Sequence, residues 1–271
     1  MSRAIEVVRT TRSRGVARDD RVVVEEPLEI RLDGDTLAVT MRTPGHDREL
    51  VLGFLVSEGI VREPSDVAAL AHCGKPGEPG YENTMAVTLA STARPPIDAR
   101  TGELVRRGTL VSSACGVCGR RTLDDILSRI APTRDTSPIS EARLLESVAA
   151  LRGAQPVFEA TGGAHAASLF TFGGERLAAF EDVGRHNAVD KVVGARFLAH
   201  ALGEEARVLA VSGRASFEIV QKALAAGFSA LASVSAPSSL AVQLAREANL
   251  VLAGFVRGTS LVLYAGEERV T

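Results

Sequence analysis

Strand-like apolar runs alternate with helix-like segments over the last quarter of this 271-residue chain. Such an alternation is typical of a parallel β-sheet with helices packed on its faces. We therefore predict an α/β layer with a largely parallel sheet from about residue 140 to the end, joined by right-handed crossovers. The predicted strands lie at 207–211, 230–234, 250–256 and 260–264, and the predicted helices at 216–226 and 238–248.

The first half has a different pattern. Residues 21–43 contain two alternating apolar segments separated by Asp33-Gly34, a dipeptide that favours a tight β-hairpin turn. Residues 49–60 show helical spacing, and residues 84–89 return to a strand pattern. These elements predict a small α+β domain ahead of the α/β domain.

Composition also suggests where the chain divides. Residues 128–140 contain two prolines and several Ser, Thr and Asp residues, which is typical of a linker. The arginine-rich start has no apolar block and predicts a flexible tail. The predicted organisation is a tail at 1–20, an α+β domain at 21–127 that ends in the cysteine pair and a following helix, a linker at 128–140, and an α/β domain at 141–271.

Several functional classes are disfavoured by composition. The formal net charge is -2 and only 4% of residues are aromatic, so the chain offers nucleic acid neither a positive field nor stacking platforms. No apolar run approaches the roughly 20 residues of a membrane span, and the start lacks the apolar core of a secretory signal. Three cysteines are too few for a disulfide framework. We expect a cytoplasmic protein that binds neither nucleic acid nor membrane.

The sharpest chemical signal is the pair Cys115 and Cys118, which lies between a strand-like and a helix-like segment. Two following arginines and a helix N-terminus would favour the thiolate, the form that attacks sulfur. Redox or sulfur chemistry is one interpretation, and a half zinc site or an inert pair is the other. A zinc ion would need two further ligands, and the adjacent His72 and Cys73 form a weak second half. We expect no bound metal.

Serine-rich turns follow two of the predicted strands, at 212–216 and 235–239. Each turn precedes a helix, whose free N–H groups and dipole attract anions, although helix capping by serine would explain either turn alone. Nearby cations exceed what two caps require, and no ordinary dinucleotide or P-loop motif is present. We therefore predict an unconventional phosphate-bearing ligand at the carboxyl edge of the sheet. The cations are Arg185, Lys191, Arg214 and Arg257.

Spacing does not decide which polar residues face this ligand. His165 and His186 could each act as a general base or donate to phosphate, and Asp182, Asp190 or Glu218 could accept two hydrogen bonds from a guanine edge. Structural hydrogen bonding is the open alternative for each of them. The predicted pocket residues are Gly163, His165, Asp182, Arg185, His186, Lys191, Ser212, Gly213, Arg214 and Ser238.

The motifs of this chain, taken in order, resemble those of the FdhD family, the accessory sulfurtransferases of formate dehydrogenase. They cover nearly the whole chain after the first twenty residues, and so many long motifs in one order are highly specific. The matching segments are EEPLEIRLDG, RTPGHDRELVLGFLVSEGIV, CGVCG, TGGAHAA, EDVGRHNAVDKVVG, SGRASFEIVQKA, SAPSSLAVQLA and GFVRG.

The resemblance implies a sulfur carrier that takes persulfide sulfur from a cysteine desulfurase. It implies delivery of that sulfur to Mo-bis(molybdopterin guanine dinucleotide) before this cofactor enters formate dehydrogenase, with GDP-like nucleotides as mimics of the bound cofactor. It also implies a C-terminal three-layer core resembling the cytidine deaminase fold, without the deaminase zinc, and a homodimer.

The family pattern also implies roles for particular residues. Cys115 is the expected persulfide-bearing residue, and Cys118 either relays sulfur or resolves the persulfide. Two rival functions stay open: a thioredoxin-like disulfide oxidoreductase, suggested by CGVC, and a non-catalytic chaperone that hands over the molybdenum cofactor. The family's C-terminal cofactor-binding segment falls on Phe255, Val256, Arg257, Gly258, Thr259 and Ser260.

Overall fold

The structure is a computed structural model that describes residues 2–10, 15–75, 77–78, 80–93, 132–133, 135–203 and 207–271. This part of the chain contains twelve β-strands and six α-helices. The strands are β1 (Ser2–Thr10), β2 (Gly15–Val23), β3 (Glu26–Leu32), β4 (Asp35–Arg42), β5 (Val67–His72), β6 (Thr84–Leu89), β7 (His165–Thr171), β8 (Arg176–Asp182), β9 (Arg207–Val211), β10 (Ala230–Ser233), β11 (Val251–Arg257) and β12 (Ser260–Ala265). The helices are α1 (Asp47–Ser57), α2 (Glu141–Arg152), α3 (Pro156–Thr161), α4 (Arg185–Leu198), α5 (Phe217–Ala225) and α6 (Ser239–Glu247).

Six strands of the second half form one mixed sheet in the order β12-β11-β10-β9-β7-β8. The predicted strands and helices of this half are present, and β9, β10 and β11 run parallel at its centre. The remaining pairings are antiparallel, so the prediction of a largely parallel sheet is wrong at both edges. The cause is the short turns that join β7 to β8 and β11 to β12, because such turns link only antiparallel neighbours.

Helices cover both faces of this sheet. α2 packs on one face, where Leu144 and Phe170 are buried together. α4, α5 and α6 lie on the other face, over a cluster that includes Val192 and Leu244. The second half is therefore a three-layer α/β structure. Its predicted likeness to the cytidine deaminase fold is not confirmed and stays a prediction.

None of the helices in the described residues has both the length and the hydropathy that crossing a membrane requires.

The first half forms a four-stranded sheet in the order β4-β3-β6-β5, with α1 beside it, as the predicted α+β domain requires. β3 and β4 pair antiparallel around Asp33 and Gly34. The φ angles of these two residues, 49° and 96°, are the left-handed values of a tight hairpin turn. The predicted hairpin is confirmed.

The segment predicted as a flexible tail contains a β-hairpin instead. β1 and β2 pair antiparallel from Ser2↔Val23 to Thr10↔Gly15, and both contact α3. At Gly163 an added Cβ would lie 2.9 Å from Cγ1 of Val23, so this glycine admits the end of β2. The tail prediction is wrong because pairing along two strands satisfies backbone groups that a tail would leave to water.

One apolar core runs through both halves. It joins Ile30 and Leu55 of the first half to Val192 and Leu252 of the second in a single cluster of buried side chains. The predicted linker at 128–140 lies partly outside the described residues, so that boundary stays a prediction. The two predicted domains nevertheless share their core.

Two glycines bring the halves into contact where α1 crosses α4. A Cβ on Gly53 would overlap the carbonyl oxygen of Asp190, and a Cβ on Gly194 would overlap the carbonyl oxygen of Glu49. Each helix therefore uses a glycine to admit the backbone of the other. No other residue type fits at either position without moving the helices apart.

Replacing Gly53 or Gly194 with alanine should lower the free energy of unfolding by about 2 kcal/mol or more, because overpacking a filled core costs roughly 1–3 kcal/mol and sometimes more. Gly153→Ala is the matched control, since a Cβ there meets only the carbonyl oxygen of Ala150, at 3.6 Å. Urea unfolding of the three variants measures the difference. Equal stability of all three would contradict the close crossing.

Candidate functional site

The predicted ligand residues lie at one edge of the six-stranded sheet, where β9, β10 and β11 end. β7 runs antiparallel to β9, so its first residue, His165, lies at the same edge and pairs with Asp182 at the end of β8. α4 begins nearby at Arg185. Ligands gather at the carboxyl edge of parallel strands because free N–H groups of helix N-termini meet there.

Four residues at this edge form a group that we call the cradle: His165, Arg185, Gly213 and Arg214. A Cβ added at Gly213 would lie 3.4 Å from Nδ1 of His165 and 3.6 Å from Cδ of Arg185. The charge of Arg214 acts on Arg185. The imidazole of His165 and the side chain of Arg185 therefore lie beside Gly213, whose missing side chain leaves the backbone open there.

Arg185 combines a buried donor with a neighbouring cation. Its Nε is buried and has no hydrogen-bond partner among the described residues. Burial, and then the charge of Arg214, lowers the pKa of Arg185, while Glu218 opposes the shift. The lowered pKa reflects a partly buried guanidinium that has a second cation beside it.

His165 is a neutral member of the cradle. Burial, and then the charge of Arg185, lowers the pKa of His165 below its ordinary value, against the weaker effect of Asp182. The ring is therefore neutral at pH 7, with one donor and one acceptor nitrogen. It can hydrogen-bond a base or a phosphate without adding a third positive charge.

Asp182 and Lys191 were predicted to face the ligand, but they bind each other in the interior. Lys191 Nζ lies 2.8 Å from Oδ2 of Asp182, and the side chains are 1% and 0% exposed. Asp182 also accepts from the backbone N–H groups of Thr43 and Gly184 and from Nδ2 of Asn187. Its oxygens have no capacity left for a guanine, so these contacts favour a structural role for both residues.

Asp190, another candidate for guanine, is also engaged internally. Its carboxylate accepts two hydrogen bonds from Lys222 Nζ, at 2.7 and 2.8 Å, and one from Ser57 Oγ at 2.8 Å. This group lies beside a cavity of about 20 Å³, which has room for one water molecule. Asp190 therefore ties α1, α4 and α5 together and does not reach the cradle.

His186 lies in the first turn of α4 and pairs with α5. Its Nε2 is 3.0 Å from Oε2 of Glu218 and 3.3 Å from Oγ of Ser216. A serine triad needs the acid and the hydroxyl on opposite ring nitrogens, so these three residues do not form one. Ser216 precedes α5 without capping it, because its hydroxyl faces this histidine.

The remaining predicted pocket residues divide between structural and exposed positions. Ser238 caps α6 by accepting from the N–H of Ala241, and Ser212 Oγ accepts from the N–H of Ala166 at 2.9 Å. Gly163 is a packing position against β2, as described above. Val256 is 2% exposed and belongs to the core, so the cofactor contact predicted for its side chain does not fit.

Phe255 is the exception on β11. It has a left-handed φ of 52°, interrupts the pairing of β11 with β12, and is 42% exposed. Its N–H donates to the carbonyl of Ser235, which joins this strand to the turn after β10. The ligand contact predicted for Phe255 therefore stays a prediction that its exposure allows. Arg257, Gly258, Thr259 and Ser260 follow as an exposed turn.

The cysteine pair predicted to carry sulfur, Cys115 and Cys118, lies outside the described residues. Cys73 is described, and it is a free, half-buried thiol in the loop after β5. His72 beside it faces Asp47 at 4.0 Å and stacks at a tilt on Tyr81.

Sequence analysis missed two residues at the base of the cradle, Thr43 and Asn187. Thr43 follows β4 yet binds the loop that precedes α4, about 140 positions later. Asn187 lies in α4 and donates to the carbonyl of Met41. No local spacing signals such a contact, because the two segments meet only when α1 and α4 cross.

A three-layer α/β fold with cations and a glycine at the carboxyl edge of its parallel strands occurs in many proteins that bind phosphate-bearing ligands. A model of the FdhD/NarQ family matches residues 23–271 of this chain. The chain belongs to that family, as the motifs predict.

Named relatives cover nearly the full chain. The sulfur carrier protein FdhD of Anaeromyxobacter dehalogenans (strain 2CP-1) is 53% identical over 268 residues, which cover 97% of this chain and 92% of that protein. The protein of the same name from Mycolicibacterium paratuberculosis is 46% identical over 269 residues, 97% of each chain. A crystal structure of a proposed formate dehydrogenase accessory protein from Desulfotalea psychrophila shares the fold, with a TM-score of 0.79 at 21% identity over 100% of this chain and 99% of that one.

The lowered pKa of His165 predicts a pH dependence of stability. Between the folded pKa and the ordinary value of about 6.5, the unfolded chain binds more protons than the folded protein. Stability should therefore fall as pH drops through this window, and His165→Gln should remove that part of the loss. Urea unfolding at pH 8 and pH 5.5 tests this. An identical loss in both proteins would mean that His165 titrates as in the unfolded chain.

Proposed function

We propose that this protein is a sulfur carrier in the maturation of formate dehydrogenase. It accepts persulfide sulfur from a cysteine desulfurase on Cys115 and delivers it to Mo-bis(molybdopterin guanine dinucleotide) bound at the cradle. Membership of the FdhD/NarQ family and the name of the relatives, sulfur carrier protein, support the sulfur role. The cysteine pair supplies the reactive groups.

One observation carries the ligand half of the proposal: the guanidinium of Arg185, partly buried beside Arg214 with its Nε unpartnered among the described residues. A buried donor without an acceptor costs about 1–3 kcal/mol, and two neighbouring cations repel each other. An anion with several oxygens removes both costs. The diphosphate of a guanine dinucleotide is such an anion, and the N-terminus of α4 adds N–H donors and a favourable dipole.

Other cradle features suit a nucleotide. The neutral His165 can bond a base edge or a sugar hydroxyl, and Gly213 allows a phosphate to approach the backbone. Phe255 offers an exposed aromatic face for stacking on a base. These groups lie on four different strand ends and turns of one sheet edge, which suits a ligand longer than a single phosphate.

The sulfur steps balance without an external oxidant. The thiolate of Cys115 attacks the outer sulfur of the desulfurase persulfide, a new S–S bond forms on Cys115, and the desulfurase cysteine leaves as a thiolate. In the resolving role, the thiolate of Cys118 then attacks Sγ of Cys115, forms a disulfide and releases hydrosulfide to the bound cargo. A dithiol reductant returns the pair to two thiols.

Cys115→Ala should reduce persulfide labelling at least tenfold after incubation with a desulfurase and cysteine, because the attacking thiolate is gone. Cys73→Ala is the matched control and should label as the unaltered protein does. Mass spectrometry of the peptide containing residues 115–118, searched for one added sulfur, reads out the result. Full labelling of Cys115→Ala would contradict the assignment.

The rival functions give different outcomes in the same experiments. A Cys115→Ala/Cys118→Ala protein that still restores formate dehydrogenase activity would favour a non-catalytic cofactor chaperone. Reduction of insulin disulfides with turnover would favour a thioredoxin-like oxidoreductase.

GDP should raise the melting temperature of the protein more than ADP does, because the ligand binds the folded state and its guanine is read. Arg185→Gln should weaken GDP binding about tenfold or more, since a charge-assisted hydrogen bond contributes roughly 1.5–3 kcal/mol. Arg176→Gln, at an exposed arginine that begins β8, is the control. Thermal unfolding with each nucleotide measures the melting temperatures, and calorimetric titration measures the GDP affinity of the three proteins. Equal affinity of all three proteins would remove Arg185 from the site.

A further inference from the structure

Thr43, the residue directly after β4, bonds the loop before α4 and a lysine of that helix. Its N–H donates to Oδ2 of Asp182 at 3.1 Å, and its carbonyl accepts from Nζ of Lys191 at 3.0 Å. Its hydroxyl accepts from the N–H of Val183 at 3.0 Å. Thr43 is 3% exposed, so these bonds form in the interior, where they are least open to competition from water.

A second residue, Asn187 of α4, also bonds both the end of β4 and the loop that precedes α4. Asn187 donates from Nδ2 to the carbonyl of Met41 at 2.8 Å and to Oδ1 of Asp182 at 2.9 Å. The hydroxyl of Thr40 donates to Oδ1 of Asn187 at 3.3 Å. The last residues of β4 therefore grip both the loop that leads into α4 and the first turn of that helix.

These bonds fix the backbone immediately before Arg185. Only Val183 and Gly184 separate Asp182 from Arg185, and the N–H groups of both are used. Thr43 Oγ1 accepts from Val183, and Oδ1 of Asp182 accepts from Gly184 at 2.8 Å. The direction in which Arg185 leaves the helix start is therefore set by a residue of the first half of the chain.

We propose that Thr43 is a positioning residue for ligand binding at the cradle, a role that rests on the proposed function. Its atoms bond the loop and the buried ion pair, and no described contact joins it to the cradle residues themselves. It acts by holding the Val183 amide, and through it the start of α4, so that Arg185 is preorganised for an anion. Preorganisation raises affinity because the free protein has less freedom to lose on binding.

The substitution Thr43→Val removes the hydroxyl and keeps the β-branched shape. It should weaken GDP binding about fivefold or more in calorimetric titration, whereas Thr43→Ser, which keeps the hydroxyl, should stay within about twofold of the unaltered protein. Thr36→Val is the matched control, because the Thr36 hydroxyl lies on β4, the strand that Thr43 follows, but bonds Glu29. A Thr43→Val protein that binds GDP as Thr36→Val does would overturn the inference.

A double-mutant cycle separates positioning from a general loss of stability. If Thr43 acts through Arg185, Thr43→Val should cause little further loss in an Arg185→Gln background. The same change should add its full effect in an Arg257→Gln background, since Arg257 lies on a different turn. Additive losses in both backgrounds would overturn the inference.

Hydrogen exchange of the unaltered protein gives a test that does not depend on the folding of a variant. Saturating GDP should slow exchange in peptides covering 40–46 and 181–187, while a peptide covering β3 should be unchanged. Binding of GDP without slower exchange in those two peptides would overturn the role of Thr43 but leave the proposed function in place. Failure of the unaltered protein to bind GDP at all would overturn both.

Discussion

The crossing of α1 and α4 is the contact on which the rest of the structure depends. Gly53 and Gly194 each admit a backbone carbonyl of the opposite helix, and at that separation one apolar core closes across both halves. The same crossing brings the end of β4 against the start of α4, where Thr43 binds the loop before Arg185. The start of α4, at the edge where the ligand is proposed, is therefore held by packing against the first half.

The buried charges beneath the carboxyl edge of the six-stranded sheet are paired with one another, whereas Arg185 at that edge is not paired in the same way. Asp182 with Lys191, and Asp190 with Lys222, are buried pairs whose atoms bond one another. Such pairs are needed because an unpaired buried charge costs several kcal/mol. Arg185 differs from these pairs, because it is half-buried and its Nε has no hydrogen-bond partner in the described part of the chain, although the charge of Glu218 acts on it. Under the proposed function, an anionic ligand supplies that partner.

The structure brings several of the predicted ligand residues together but not all of them. The serine-rich turns and nearby cations predict a ligand at the edge where the carboxyl ends of the parallel strands meet, and that ligand stays a prediction. One motif, 181–191, nevertheless contains both Asp182, which is saturated in the interior, and Arg185, which faces the cradle. Ser238 caps a helix, while Ser216 in the equivalent turn bonds His186. Both serines directly precede a helix, so only the packed neighbours decide whether the hydroxyl caps that helix or bonds a histidine.

The sequence by itself determined the strand and helix order of residues 207–264, the Asp33-Gly34 hairpin and the family. These features depend on local residue patterns and on motifs, which can be recognised in the sequence without knowing the fold. Only the tertiary structure decided the antiparallel sheet edges, the hairpin at 2–23, the shared core and the roles of Asp182 and Thr43. The physical reason is distance along the chain. Thr43 and Val183 become hydrogen-bond partners only when α1 and α4 pack together, and local sequence preferences contain no information about that packing.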